Sequence, residues 1–172
     1  MGENEVDRVE LQTKIGTLQV NEEDIIQFPT GILGFSDIHR YILVEQEESF
    51  FSFLQAVDEP ALTFVVMMPE LVCCQYSVKL NDEEIELLQF DSPEDGKVYA
   101  IVTVPENVAE MTVNLQAPVV INAKQKLGAQ IVIAEGGYHT KHNVLAEMQK
   151  NAYFLEQQKA QAKKEEEVRE SV

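Results

Sequence analysis

The strand-forming runs in this chain are short, and each is cut off by a residue that cannot continue it. The two longest, residues 61–68 and 97–104, last eight residues each. Glycine permits sharp turns, and proline, lacking an N–H, interrupts a hydrogen-bonded ladder. Such punctuation falls at Gly16, Pro60, Pro69, Asp95-Gly96, Pro105, Pro118, Gly128 and Gly136-Gly137. Between these marks lie ten β-branched or aromatic runs, at residues 9–14, 17–20, 24–28, 41–44, 50–55, 61–68, 97–104, 111–115, 119–122 and 130–134. Strands this short and this frequent predict a mostly β chain: a small antiparallel β-barrel-like or sandwich domain. Residues 61–68 are nearly all apolar, which predicts a central strand covered on both faces.

Two segments depart from this pattern. Residues 81–88 read NDEEIELL. An Asn followed by carboxylates is a helix start, because Asn caps free N–H groups and acids favour the positive end of the helix dipole. From Asn143 onward, Val144, Met148, Ala152 and Leu155 recur at helical spacing, predicting a C-terminal helix. Beyond Leu155 the apolar positions thin out into QQKAQAKKEEEVRESV. The expected organisation is one β domain over residues 1–150, then a polar, helical or disordered tail over 151–172.

Charge excludes some functions. The chain has 172 residues, enough for one core without a disulfide or metal staple, and a net charge of −17. Residues 1–122 hold 23 acids against 5 bases, whereas residues 123–172 hold 7 against 8. Such acidity opposes direct binding to nucleic acid and to anionic membrane surfaces. The opening MGENEVDRVE is polar and does not read as a secretory signal, and Val6 stands where a myristoylation pattern needs Ser or Thr. No run approaches the roughly 18 apolar residues of a membrane span. The adjacent Cys73-Cys74, on a strand, would point to opposite faces, so they are expected to be reduced thiols, one more buried than the other. A cytoplasmic protein is the expectation.

Catalytic and metal chemistry lack a pattern here. His139 and His142 are close enough to share a helix face, but no third ligand lies in sequence reach, so no metal is expected. The serines lie in no GxSxG motif, and acids are too numerous for any pair to single itself out. No catalytic residue and no cofactor is assigned.

The stretch FPTGILGF, residues 28–35, crowds two aromatics, a proline and two glycines into one connection. Its GxxG resembles the clamp of an RNA-binding KH module, but that clamp lies between helices and carries basic neighbours. Here the flanks are strands and acids such as Glu22, Glu23 and Asp24. The physical reading is a structural turn. Pro29 fixes a φ angle, Gly31 and Gly34 permit sharp bends, and Phe28 and Phe35 pin both ends into the core.

Several stretches together resemble the FliW family of bacterial flagellar assembly factors. These are IIQFPTGILGF, FSFLQAVDEPALTFVV, VYAIVTVP and MTVNLQAPVVINAKQKLGAQIVI, in order between about residues 11 and 143. NLQAPVVIN is the most specific. The resemblance implies a small β-barrel-like fold, no catalysis and two protein partners in the cytoplasm. One is flagellin. The other is CsrA, an RNA-binding repressor of flagellin translation, which family members antagonise. The resemblance supplies no interface residues. Phe28, Phe35, Leu54, Phe64, Leu115 and Ile121 are expected in the core. Asn114 and Asn122, on either side of Pro118, are expected to satisfy backbone groups. Among the acidic clusters, Asp82, Glu83, Glu84 and Glu86 are the candidate partner-binding residues, because a helix start holds them close together. Apart from the resemblance, a small-molecule-binding β-barrel and an enzyme without a recognisable motif remain open.

Overall fold

In the computed structural model, which describes residues 8–170, seven strands close into a barrel. β1 (Arg8–Thr13) and β2 (Gly16–Asn21) form a separate antiparallel hairpin. The remaining strands are β3 (Ile26–Gln27), β4 (Arg40–Val44), β5 (Phe51–Ala56), β6 (Thr63–Met67), β7 (Gly96–Thr103), β8 (Thr112–Val113), β9 (Val119–Asn122), β10 (Leu127–Gln130) and β11 (His142–Asn143). The barrel runs β7-β6-β5-β4-β3-β10-β9 and closes from β9 back to β7. Every pairing is antiparallel except β3 with β10. On the edge opposite β6, the first half of β7 pairs with β9 and its end pairs with β8, which carries β11. Closure leaves the barrel strands without a free edge.

Alternation decides what each strand buries. Inward-facing Tyr41, Leu54, Ala56, Val66, Tyr99, Val119 and Ile121 meet Ile26, Phe28 and Ile32 in the barrel interior. Outward-facing neighbours need separate cover. The hairpin covers Ile42 with Leu11 and Val20. Residues 71–78 and the start of the last helix cover Met67, Ala100 and Val102. A short helix covers Val120, Ala129 and Ile131. The Val, Ile, Leu and Met side chains among these contribute about 1.5–3 kcal/mol each when fully buried. β6 has a strand on either side, but Thr63, Phe64 and Val65 are only half-buried, so its cover is less complete than expected.

That short helix is α1 (Asp82–Leu88), and it starts where its sequence says. The Asn81 side chain accepts from the Glu84 N–H at 2.8 Å, and the Glu84 carboxylate accepts from the Asn81 N–H at 3.3 Å. Its other end stops on Gln89 in the left-handed region, with φ of 54°. Leu88 is fully buried against the barrel.

α2 (Val144–Glu170) is capped by Asn143, whose side chain accepts from the Ala146 N–H at 2.9 Å. Its packed face differs from the expected stripe. Val144 is buried and Met148, Asn151 and Phe154 are half-buried, whereas Ala152 and Leu155 are exposed. Asn151 replaces an apolar contact with hydrogen bonds: it accepts from the Cys74 N–H at 2.8 Å and donates to the carbonyls of Glu70 and Leu71. From Leu155 to Glu170 every side chain is exposed, along about 24 Å of helix.

Three further expectations change. The strand expected at residues 130–134 lies earlier, at β10, and Gly128 is inside it rather than in a turn. Gly128 faces the interior, where a Cβ would stand 2.5 Å from the Phe28 ring. Residues 131 and 133 still bond to the carbonyls of Pro118 and Gln116, which explains their strand-like composition. The strand expected at 24–28 is shortened by a 3-10 turn at Glu22–Asp24. Cys73 and Cys74 sit in a turn after the 3-10 helix Pro69–Leu71 rather than on a strand, and both are free and half-buried. Residues 1–7, including Val6, and residues 171–172 at the end of the tail lie outside the described residues.

Candidate functional site

FPTGILGF closes one end of the barrel. Phe28 is fully buried, with its ring edge-on to Tyr41 at 5.0 Å. His39 holds the base of the loop: its carbonyl accepts from the Phe28 N–H at 2.7 Å, and its Nδ1 lies 2.9 Å from the Phe28 carbonyl. After Pro29 the chain bends through Gly31, at φ 67°, and Gly34, at φ 88°. At Gly31 a Cβ would also stand 2.6 Å from the Phe35 carbonyl oxygen. The far end of the loop corrects the expectation. Phe35 is 39% exposed and only leans its ring on Phe64 at 5.5 Å, while Leu33 is 66% exposed. The Leu33 N–H donates to the Gln130 side chain at 2.9 Å, and Gln130 in turn donates to the Ala117 carbonyl at 3.0 Å. Neither His39 nor Gln130 was marked by the sequence, because a polar side chain that bonds to a distant backbone leaves no local pattern.

Asn114 and Pro118 lie on the connection from β8 into β9, and Asn122 ends that strand. Asn114 Oδ1 accepts from the N–H groups of Gln116 and Ala117 at 3.1 and 3.0 Å. Asn122 is buried; its amide donates to the carbonyls of Leu88 and Gln89, and its Oδ1 accepts from Lys124 and Gln125. It therefore ties the end of α1 to the barrel.

α1 carries the candidate carboxylates. Asp82, Glu83 and Glu86 are exposed, while Glu84 is half-buried and occupied in the capping box. Between α1 and the outer face of β7 and β9 runs an apolar cleft of about 370 Å³, walled by Val78, Leu80, Ile85, Phe90, Pro93 and Val98. No continuous stretch of sequence marks it, because its walls come from separated segments of the chain. The lone apolar Ile85 among acids is the one local sign of it. A second hollow of about 450 Å³, between the hairpin and β4, is lined by both polar and apolar groups, including Lys97, Glu45 and Asp24.

The histidines do not share a helix face. His139 and His142 stack at 4.3 Å ahead of α2, and His142 Nε2 accepts from the His139 N–H at 2.9 Å. Among the described residues, no three His, Cys, Asp or Glu side chains are grouped to hold a metal ion. No helix among the described residues is long and apolar enough to cross a membrane.

The model of the FliW protein family matches residues 10–144, from β1 to the first residue of α2. The chain belongs to the FliW family. A flagellar assembly factor FliW from Alkaliphilus metalliredigens is 46% identical over 143 residues, covering 81% of this chain and 88% of that protein. Its counterpart from Ruminiclostridium cellulolyticum is 38% identical, covering 80% of this chain and 95% of that one. A crystal structure of the flagellar assembly factor FliW superposes with a TM-score of 0.74 at 37% identity, covering 79% of this chain and 96% of that chain. These relatives are named as assembly factors, not enzymes. The FliW match takes in the barrel, the hairpin, the FPTGILGF loop and α1, and stops before the exposed part of α2.

Proposed function

We propose that this protein is a cytoplasmic flagellar assembly factor that binds flagellin and antagonises the RNA-binding translational repressor CsrA, relieving repression of flagellin translation. The observation that carries the reading is the FliW family match over the whole barrel. It acts by protein binding, without catalysis or a cofactor, and without direct contact to nucleic acid or membrane. A repressor that grips RNA must present basic residues to phosphates. An acidic partner is steered to such a surface and, once docked, repels RNA. Asp82, Glu83 and Glu86 are the exposed carboxylates that serve this on α1. The protein, freed when flagellin is exported, then captures the repressor.

A small-molecule barrel is disfavoured by the interior, which Phe28, Tyr41, Leu54 and Tyr99 fill. The test is co-purification of the full chain with flagellin and with CsrA, followed by release of a flagellin leader RNA from CsrA. Capture of both proteins and RNA release is the expected result. Failure to bind either one overturns the reading.

A further inference from the structure

We infer that the cleft beside α1 is a docking site for a large apolar side chain carried on a basic segment of a protein partner. The inference rests on the proposal that the acidic face of this protein meets a basic partner, and it adds the contact that would hold that partner.

The walls of the cleft are mostly apolar, with Asp91 and Ser92 at one side. Val78, Leu80, Phe90 and Val98 are half-buried, and Ile85 on α1 is 39% exposed above them. Helical spacing explains why Ile85 is left over. Leu88 plugs α1 onto Val120, Ala129 and Ile131, and Asn122 holds the carbonyls at its end. Ile85 lies nearly one turn earlier, over the hollow rather than over the barrel. Gly96 keeps the floor low: a Cβ there would stand 3.3 Å from the Phe90 ring and from the Pro93 carbonyl.

The chain that walls the cleft is strongly acidic, and Asp91 stands in the lining itself. Between Leu80 and Gly96 the chain carries seven carboxylates, at Asp82, Glu83, Glu84, Glu86, Asp91, Glu94 and Asp95, and no base. The bases nearby offset little of this. Lys124 approaches Asp91 at 3.8 Å, Lys97 turns to Glu45 at 3.8 Å, and Lys79 flanks the cleft. A volume of about 370 Å³ lies at the low end of the roughly 300–1,000 Å³ of ligand pockets. An uncharged apolar molecule would gain nothing from the carboxylates. A Leu- or Phe-sized side chain with Lys or Arg on either side satisfies both walls and rim. The buried anchor would then set the dissociation rate and the rim the association rate.

Two substitutions alter the walls and leave every charge in place: Ile85→Gln, at an exposed helical position, and Val78→Thr, which keeps the shape. Thermal melting checks that each is folded. Titration with purified CsrA should show an affinity about tenfold weaker for Ile85→Gln, through faster dissociation, and a smaller loss in the same direction for Val78→Thr. Wild-type affinity in both folded variants would overturn the inference and leave the proposed function standing. If CsrA fails to bind even the wild-type protein, the proposed function falls, and a second probe judges the cleft alone. That probe is a synthetic peptide with a central Leu-Phe pair between lysines, compared with the same peptide carrying Ser-Ser. Amide NMR shifts at Val78, Ile85, Gly96 and Val98 with the first peptide only would support the cleft. Shifts with neither peptide, or equal shifts with both, would overturn it.

Discussion

Phe28 and Gly128 compete for one volume inside the barrel. The ring occupies the space that any β-carbon at position 128 would need, with contacts of 2.5–2.8 Å. Gly128→Ala is therefore expected to push Phe28 against Tyr41 and to lower stability by about 1–3 kcal/mol, the usual cost of overpacking. Urea denaturation measures this as a lower midpoint at unchanged slope. The tyrosines make a second residue-scale statement. Burial pushes the Tyr41 phenol up to about 12. Burial does the same at Tyr99, also to about 12, with the Glu45 carboxylate adding to it. Tyr76 is raised further by burial and by its neighbours Tyr138 and Cys73, and it donates to the Leu115 carbonyl at 2.7 Å. A raised phenol favours the fold fully below the unfolded value of about 10 and loses that effect as pH rises through the folded value. The protein should hold its stability up to about pH 10 and lose it progressively towards pH 12. Melting temperature measured against pH, with phenolate absorbance alongside, checks both. Phenolate appearing near pH 10 in a still-folded Tyr153→Phe variant, which lacks the exposed tyrosine, would show these side chains to be hydrated.

Among the elements, α1 and α2 show different limits of local reading. The residues of α1 announce both its start and its polarity, since Asn81 and Glu84 satisfy each other's backbone groups over three residues. What α1 covers is not local, because Val120 on β9, Ala129 on β10 and Ile131 just past β10 lie more than thirty residues away. α2 is legible as a helix from Asn143, but its packed face is not, because Asn151 holds it by hydrogen bonds where apolar periodicity expects Ala152. Its exposed length leads to a prediction. Removing residues 157–172 should leave the melting temperature within a degree or two, since no side chain from Leu155 to Glu170 is buried. A scanning calorimetry trace with a much lower transition would show that this part of the helix packs against the domain.

At the scale of the whole molecule, charge is the property that reaches furthest. Of the 30 acids, 23 precede residue 123, where only 5 of the 13 bases lie. The acids gather at Glu22–Asp24, at the turn carrying Glu45, Glu47 and Glu48, on α1, and around Asp91 to Asp95. The variant Asp82→Asn, Glu83→Gln, Glu86→Gln keeps the capping Glu84 and removes three exposed charges. Stopped-flow association with CsrA should slow at low salt. The difference should shrink towards 1 M salt, where the screening length falls from about 10 Å at 0.1 M to about 3 Å. Flagellin association should change less. Equal rates for wild type and variant at low salt would remove α1 from the steering surface.

The sequence by itself determined the local choices: the short strands, the cap of α1, the start of α2 after Asn143 and the bend at Gly31 and Gly34. Each depends on residues within a few positions of one another, so the pattern and the physics share the same window. Only the tertiary structure decided the rest. Closure of the sheet placed Gly128 inside a strand, because the constraint on it is an aromatic ring a hundred residues earlier. It also left Phe35 partly outside, its ring edge-on to Phe64, although Phe28 at the other end of the same loop is fully buried. The cleft beside α1 arose in the same way. Val78, Ile85, Phe90, Val98 and Val120 are brought together by the β7–β9 pairing that closes the barrel, and no stretch of sequence contains that pairing.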